Sequence, residues 1–408
     1  MKILWLKSEL LHPVDKGGRI RTYYMLRHIK RDHYVTYLSL VNQNDPPESF
    51  DRAKEYCDRL VTVPWSEPQR LSARFYSDLF FNLGSSLPYA IQKYRSIAMR
   101  REIERELHSR DYDVVVCDFL VPSVNLKRDA GVPTVLFQHN VESIIWQRHY
   151  QTETNRIKKA YFYNQWQKMY SYERRACRSF DAVVAVSPVD RDLMRDEYGV
   201  REVYDIPTGV DTDYFRPMNG PQNPFELVFT GSMDWMPNED GIIYFAESIL
   251  PRITRAIPNV SLTVVGRNPS RRLYALADSN RQIEVVGRVE DIRPYVARAA
   301  AYIVPLRVGG GTRLKLYEAM AMAKPVISTS VGAEGLPVRA GEDLLIADGP
   351  DRFAQAVISV LTNESLAKKI GRQSCAAVRE QFGWNRAAST FARVCEAMVR
   401  GSLPRRAA

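Results

Sequence analysis

The 408-residue chain lacks most marks of a membrane-spanning, secreted or redox protein. No window holds eighteen apolar residues, so no segment reads as a transmembrane helix. Cysteine is sparse: Cys57, Cys117, Cys177, Cys375 and Cys395 are odd in number and without CxxC spacing. That pattern argues against a disulfide or zinc framework and for reduced thiols in the cytoplasm. The N-terminal MKILWLKSELLH reads as a short strand interrupted by charge, not as a signal peptide. Neither half carries a strand followed by G-x-G-x-x-G, which argues against a nicotinamide dehydrogenase. No internal repeat is present.

What is there is an ordinary globular composition, 45% hydrophobic and 25% charged, in a length suited to about two domains. Fifty-seven basic against 47 acidic residues leave a net charge of +10. Such a charge suits nucleic acid, an anionic membrane surface or an anionic substrate. No nucleic-acid-binding module is present. Basic residues are densest from Arg148 to Arg178, interleaved with Tyr161, Phe162, Tyr163, Trp166, Tyr170 and Tyr172. This helix either lies on a membrane headgroup layer or turns its aromatics inward and solvates its charges.

Short apolar runs alternate with helical stretches throughout. In the first half they are 3–6, 34–40, 61–63, 114–117, 134–138, 182–186 and 203–206; in the second, 227–230, 261–265, 283–286, 301–304, 325–328 and 344–347. Near-continuous apolar strands between helices imply parallel sheets covered on both faces, hence two doubly wound α/β domains. The Pro-, Gly- and Asn-rich Phe215–Pro224 marks the break. A last helix follows Gly383 and Trp384.

The richest stretch is AYIVPLRVGGGTRLKLYEAMAMAKPVIST, which ends at Thr329. It reads as strand, glycine loop, helix and second buried strand, with Thr312 capping a helix that runs to about Ala323. Gly309, Gly310 and Gly311 let backbone approach a ligand, and the helix N-terminus offers free N–H groups. The dipole itself disfavours Arg313 and Lys315 in the first turn, so a bound phosphate or diphosphate would explain them. Leu314, Tyr317 and Ala321 form a core stripe, while Lys315 and Glu318 share the neighbouring face. Glu318 is placed to accept hydrogen bonds from ribose hydroxyls, or is simply half of a solvated ion pair.

This stretch resembles the C-terminal half of GT-B glycosyltransferases of the group-1 (GT4) family. Its GGGTRLK…EAMAMAKPV form is similar to sugar transferases of exopolysaccharide clusters, including those of exosortase (PEP-CTERM) systems. KGGRIRT, QHNVES, SFDAVVAVSPVD, PTGVDTDYF, FTGSMDWMPNEDG and VGRVEDIRPYVARA fit the same family in the same order. The resemblance implies two Rossmann-like domains facing across a cleft. They are an acceptor-side domain (1–217) and a nucleotide-sugar domain (218–383), with a helix and tail (384–408) returning to the first. It also implies a nucleotide-diphosphate sugar, a UDP-sugar, as co-substrate, metal-independent chemistry, and a retaining transfer to a saccharide or lipid-linked acceptor. The diphosphate falls to Arg313, Lys315 and the amides of Gly309–Thr312, because FTGSMDW lacks the Arg and Lys that relatives carry there. Glu318 matches the second glutamate of the family's E-x7-E; Gly310 stands where the first would be. Arg288 and Val289 fall where backbone would meet the base. Asp211 and Asp213 match DxD, which here reads as a turn and helix-start device.

On the first domain, Gly17 and Gly18 either face the donor phosphates and acceptor or make a plain strand-to-helix turn. His139 lies at the carboxyl end of a buried strand, the edge where doubly wound sheets bind ligands. The resemblance implies contact with the transferred sugar; a loop histidine is the alternative. As a strand-end residue it is expected to carry little core packing. Asn140 and Glu142 orient it or meet the acceptor, and Asp234, Trp235 and Asn238 are expected to face the same ligand. The expected protein is a cytoplasmic, metal-independent glycosyltransferase working at an anionic membrane face, without nucleic-acid partners. A nucleotide-sugar epimerase on the same fold and a non-catalytic nucleotide-sugar-binding partner remain the alternatives.

Overall fold

Seven apolar runs of the first half form one parallel sheet: β1 (Lys2–Lys7), β2 (Tyr34–Val41), β3 (Arg59–Pro64), β4 (Val114–Asp118), β5 (Thr134–Phe137), β6 (Ala182–Ala185) and β7 (Val203–Asp205). Their order is β3-β2-β1-β4-β5-β6-β7, so the winding reverses between β1 and β4. All residues of β4, β5 and β6 are buried, as strands covered on both faces must be. The computed structural model describes residues 1–15, 17–66, 72–127, 129–308, 314–336 and 338–401. Those residues divide into two compact units, Met1–Pro207 with Ala387–Ala408, and Thr208–Arg386.

Four helices of the first unit bear on function: α1 (Gly17–Ile29), α2 (Ala73–Asn82), α3 (Glu142–Thr152) and α4 (Arg156–Cys177). The Ser72 hydroxyl accepts the Phe75 N–H at the start of α2, and Asn155 accepts from Ile157 and Lys158 at the start of α4. The basic, aromatic stretch is therefore not one helix but two, broken at Glu153–Asn155. Its aromatics largely serve their packing: Tyr150 stacks on Trp166 at 5.7 Å, and Trp146 meets Phe162 at 6.2 Å.

The second unit holds β8 (Asn223–Thr230), β9 (Ser261–Val265), β10 (Ile283–Gly287), β11 (Ala299–Val304), β12 (Val326–Ser328) and β13 (Leu345–Ile346). They form a parallel sheet in the order β10-β9-β8-β11-β12-β13, with its reversal between β8 and β11. Around it lie α5 (Met236–Tyr244), α6 (Leu314–Ala321) and α7 (Glu364–Gln381). Helix α6 is buried more broadly than a single stripe: Leu316, Tyr317, Ala319, Met320 and Ala321 are all enclosed, while Leu314 is only half-buried. The reason is a second contact layer, α7, whose Cys375 Sγ reaches the Ala321 carbonyl at 3.3 Å. The final helix α8 (Trp384–Gly401) returns to the first unit from Ala387 onward. There the fully buried Phe391 packs on Trp5 at 5.4 Å and on Phe137 at 5.0 Å.

Candidate active site

Each sheet gathers polar groups at its carboxyl edge, beside the reversal of strand order, which is where open parallel sheets bind ligands. In the second unit, β8 ends at Thr230 and the chain turns through Gly231, Ser232 and Met233 into α5. A Cβ on Gly266, just beyond β9, would lie 1.7 Å from the Gly231 carbonyl oxygen, so only glycine allows this approach. Around the turn runs a connected network. Lys315 Nζ donates to Asn238 Oδ1 at 2.7 Å, and Asn238 Nδ2 donates to the Ser232 carbonyl at 2.7 Å. Arg267 Nε donates to Ser232 Oγ at 2.7 Å. Lys315 Nζ also stands 4.0 Å from the Phe229 ring centroid, a cation–π contact that helps hold the ammonium in place. Two cations thus meet the turn after β8 from α6 and from the end of β9.

Glu318 follows Lys315 by one helical turn and is half-buried. Enclosure pushes its carboxyl up to about 7, with the Lys315 ammonium pulling it down. It lies near the buried Tyr302 hydroxyl, which bonds Thr230 Oγ1 at 2.6 Å; burial chiefly, and Glu318 in addition, raise that hydroxyl's pKa. Glu318 therefore sits over the reversal between β8 and β11. Arg288 is exposed and Val289 half-buried beyond β10, on the same edge but two strands from β8. Gly309, Gly310, Gly311, Thr312 and Arg313 lie outside the described residues. Asn238 is buried in the network; Asp234 receives Asn268 Nδ2 at 3.0 Å, and Trp235 is 38% exposed at the start of α5. Asp211 Oδ1 accepts the N–H groups of Asp213 and Tyr214 at 3.2 and 3.0 Å, the turn role expected of it.

The first unit's edge is a buried charge cluster. Asp118, the last residue of β4, is fully buried. Its Oδ2 accepts from Trp5 Nε1 at 2.9 Å and from Thr22 Oγ1 at 2.7 Å. Its Oδ1 takes Lys7 Nζ at 2.9 Å and stands 2.8 Å from His139 Nε2. Burial alone would raise the Asp118 carboxyl; Lys7 and His139 outweigh it and hold it well below the usual range. Burial pushes the His139 ring down to about 3, against the pull of Asp118, so the imidazole is neutral. Phe119 follows in the left-handed region at φ 76, a strain on the order of 1 kcal/mol. Its ring lies 4.2 Å from that of His139 and 4.7 Å from Lys7 Nζ.

Gly18, in the first turn of α1, faces this cluster: a Cβ there would come within 3.1 Å of Phe119 and 3.9 Å of His139 Nδ1. Gly17 is exposed, with open space beside it. The structure thus brings Gly18 and His139 together. His139 is only 1% exposed, and Phe119 and Phe137 enclose it at 4.2 and 4.5 Å. That overturns the expectation of little packing: the loop after β5 is folded inward and held there by Glu173 of α4. This buried carboxylate accepts from Gln138 Nε2 (3.0 Å), from the N–H groups of Glu142 (2.8 Å) and Ser143 (2.9 Å), and from the Tyr198 hydroxyl (2.9 Å). Burial, then the charge of Glu173, raise the Glu142 carboxyl to about 7.

The family models match in two parts: "Glycosyltransferase Family 4" over residues 16–214 and "Glycosyl transferases group 1" over residues 224–363. The chain belongs to the group 1 glycosyltransferases and is a transferase enzyme. It is 22% identical over 397 residues to an uncharacterized 44.6 kDa protein of the cps region of Klebsiella pneumoniae, covering 93% of this chain and 96% of that one. A phosphatidyl-myo-inositol mannosyltransferase of Mycobacterium leprae is 27% identical over 225 residues, 53% of this chain and 59% of that one. Among solved structures, a sucrose-phosphate synthase from Thermosynechococcus elongatus superposes with TM-score 0.73 at 17% identity, covering 98% and 100% of the two chains. HepE of Anabaena, solved with UDP, does so with TM-score 0.68 at 14% identity, covering 97% and 100%. At these identities the superpositions establish the GT-B fold.

Proposed function

We propose that this glycosyltransferase takes a UDP-sugar, holds the diphosphate without a metal, and transfers the sugar with retention to a saccharide or lipid-linked acceptor of exopolysaccharide synthesis. The observation that carries the donor reading is the anchored pair Lys315 and Arg267 at the turn after β8, with Glu318 one helical turn further along α6. Oriented cations stabilise the charge that develops on a leaving diphosphate, and a carboxylate beside them accepts from vicinal hydroxyls. On the first unit, the His139 cluster is assigned to the transferred sugar. HepE, solved with UDP, and the cps-region relative support the donor and the pathway respectively.

Lys315→Ala should weaken UDP binding by about 1.5–3 kcal/mol, the scale of a charge-assisted hydrogen bond. Isothermal calorimetry with UDP measures it, and unchanged affinity would remove the diphosphate from this turn. EDTA should leave transfer intact; a loss restored by magnesium or manganese would end the metal-independent reading. Donor turnover with and without an extract of acceptor lipids separates the alternatives. An epimerase turns over without acceptor, and a binding partner does not turn over at all.

Work at the inner face of an anionic membrane also belongs to this proposal. Among the described residues no helix is long and apolar enough to cross a bilayer. Phe80 and Phe81 on α2 are 70% and 74% exposed, which supports shallow insertion more directly than α4 does. A Phe80→Ser, Phe81→Ser double variant should lose at least tenfold in co-sedimentation with phosphatidylglycerol vesicles. Equal binding by both proteins would refute that contact.

A further inference from the structure

The Lys7–Asp118–His139 cluster contains more than a histidine near a ligand edge. Its three titratable groups are each at most 2% exposed, and they come from the adjacent strands β1 and β4 and from the loop that follows β5, at the point where the winding reverses. A buried ion pair is weak support for stability, because desolvation offsets most of the attraction. Its arrangement around one imidazole is therefore the informative part.

Asp118 is an ionised carboxylate, which only accepts hydrogen bonds. His139 Nε2 stands 2.8 Å from Asp118 Oδ1. A lone pair at that distance would be repelled, so the proton of the neutral ring belongs on Nε2. Nδ1 then carries the lone pair. Neither ring nitrogen has an aligned hydrogen-bond partner among the described residues, so the short Nε2–Oδ1 approach acts as an electrostatic contact and Nδ1 has no polar neighbour of its own. It faces Gly18, where a Cβ would lie 3.9 Å from it and 3.1 Å from the Phe119 ring, so glycine keeps the space beside the ring free of a side chain. The other charged groups acting on the ring are Lys7 from β1 and Arg21 from α1, whose Nη1 reaches the His139 carbonyl at 3.5 Å. Both disfavour a second positive charge. Lys7 already neutralises Asp118, so no net negative charge remains to draw a proton onto the ring.

We infer that Lys7 and Asp118 are positioning residues that lock His139 as a neutral imidazole, protonated on Nε2, with Nδ1 as a hydrogen-bond acceptor for a ligand hydroxyl. His139 in this arrangement orients a hydroxyl; it does not donate a proton. The assignment of that hydroxyl to the transferred sugar rests on the proposed function, whereas the tautomer does not. Without Lys7, Asp118 would be left uncompensated, and His139 would take up the proton in its place.

Long-range proton–nitrogen correlation spectra of the full chain, labelled with 15N-histidine, test this. Six histidines give a readable spectrum, and His139→Gln identifies the signal by its loss. The expected signal in the unsubstituted protein is an Nε2–H tautomer, unchanged from pH 8 down to pH 5. In Lys7→Met the titration midpoint should rise by about 1–3 pH units. A δ-protonated ring, or one titrating near 6.5 in the unsubstituted protein, overturns the inference. So does an unchanged midpoint in folded Lys7→Met. If Lys7→Met does not fold, the tautomer and pH response of the unsubstituted protein decide alone. Donor turnover by His139→Gln is read separately. Normal turnover beside the expected tautomer would sink the sugar assignment and leave the positioning role standing.

Discussion

Replacing Glu318 by glutamine should stabilise the fold at pH 8 by about 3 kcal/mol while weakening the binding of UDP. The folded carboxyl sits at about 7 against 4.5 when unperturbed, because its enclosure outweighs the nearby Lys315 ammonium. Between those values the folded state holds a proton that the unfolded chain has already released. Stability therefore falls as pH rises from about 4.5 to 7, and at pH 8 the full cost is present. Glutamine keeps the shape and never ionises, so denaturant midpoints of the two proteins should converge near pH 4, diverge between about pH 4.5 and pH 7, and keep a constant gap above that. A group retained at a cost to stability is expected at a binding site.

The binding half has its own signature. Ribose hydroxyls that donate to Glu318 favour its ionised form, so UDP binding near pH 6.5 should release up to about one proton. Calorimetry in buffers of different ionisation enthalpy reads this directly. Glu318→Gln should abolish the release and weaken UDP and uridine together, while inorganic diphosphate binds nearly as before. If diphosphate affinity fell in parallel, Glu318 would be acting through Lys315 instead of through ribose.

Most strands among the described residues were legible because they are runs of apolar residues covered on both faces, a pattern that few helices share; β7 and β13 are exceptions, half-buried or exposed along their length. Their ends were less so. Strand β8 begins at Asn223, four residues before its apolar run, since pairing with β9 and β11 does not need an apolar residue at an exposed end. Lys315 and Glu318 were legible as neighbours because helical spacing is local. Lys7 and Asp118 were not: each reads as the charge that ends a strand, and only the pairing of β1 with β4 brings them together across 111 residues. The strand-final Lys of WLK and Asp of VCD were the available signal. Arg267 was missed for a related reason. The turn after β8 carries no cation of its own, and Arg267 arrives there from the neighbouring strand end. Glu173 is an acidic residue within a strongly basic stretch, and its local sequence carries no sign of a buried role. Its partners, the N–H groups of Glu142 and Ser143, lie about thirty residues earlier and make it the anchor of the His139 loop.

His139→Gln should lower kcat by roughly two powers of ten with little change in UDP affinity. A group acting on the transferred sugar contributes in the transition state, whereas the nucleotide is assigned to the other unit. The same variant should alter acid stability in a direction fixed by the ring's depressed pKa. Unfolded, His139 takes up a proton as pH falls through about 6.5; folded, it stays neutral until about 3. Stability is therefore lost progressively below pH 6.5, by about 2 kcal/mol at pH 5. Asp118 adds in the same sense at lower pH, because its depressed folded value gives stability that disappears as the carboxylate is protonated. Glutamine cannot titrate, so the unfolding free energy of His139→Gln should change less between pH 7.5 and pH 5 than that of the unsubstituted protein. At pH 7.5 the variant should itself be less stable, since the ring fills the space between Phe119 and Phe137. Near-normal kcat in a folded variant would reduce His139 to a packing residue. An identical pH response in the two proteins would show that the ring titrates normally, and the account of its burial would then be wrong.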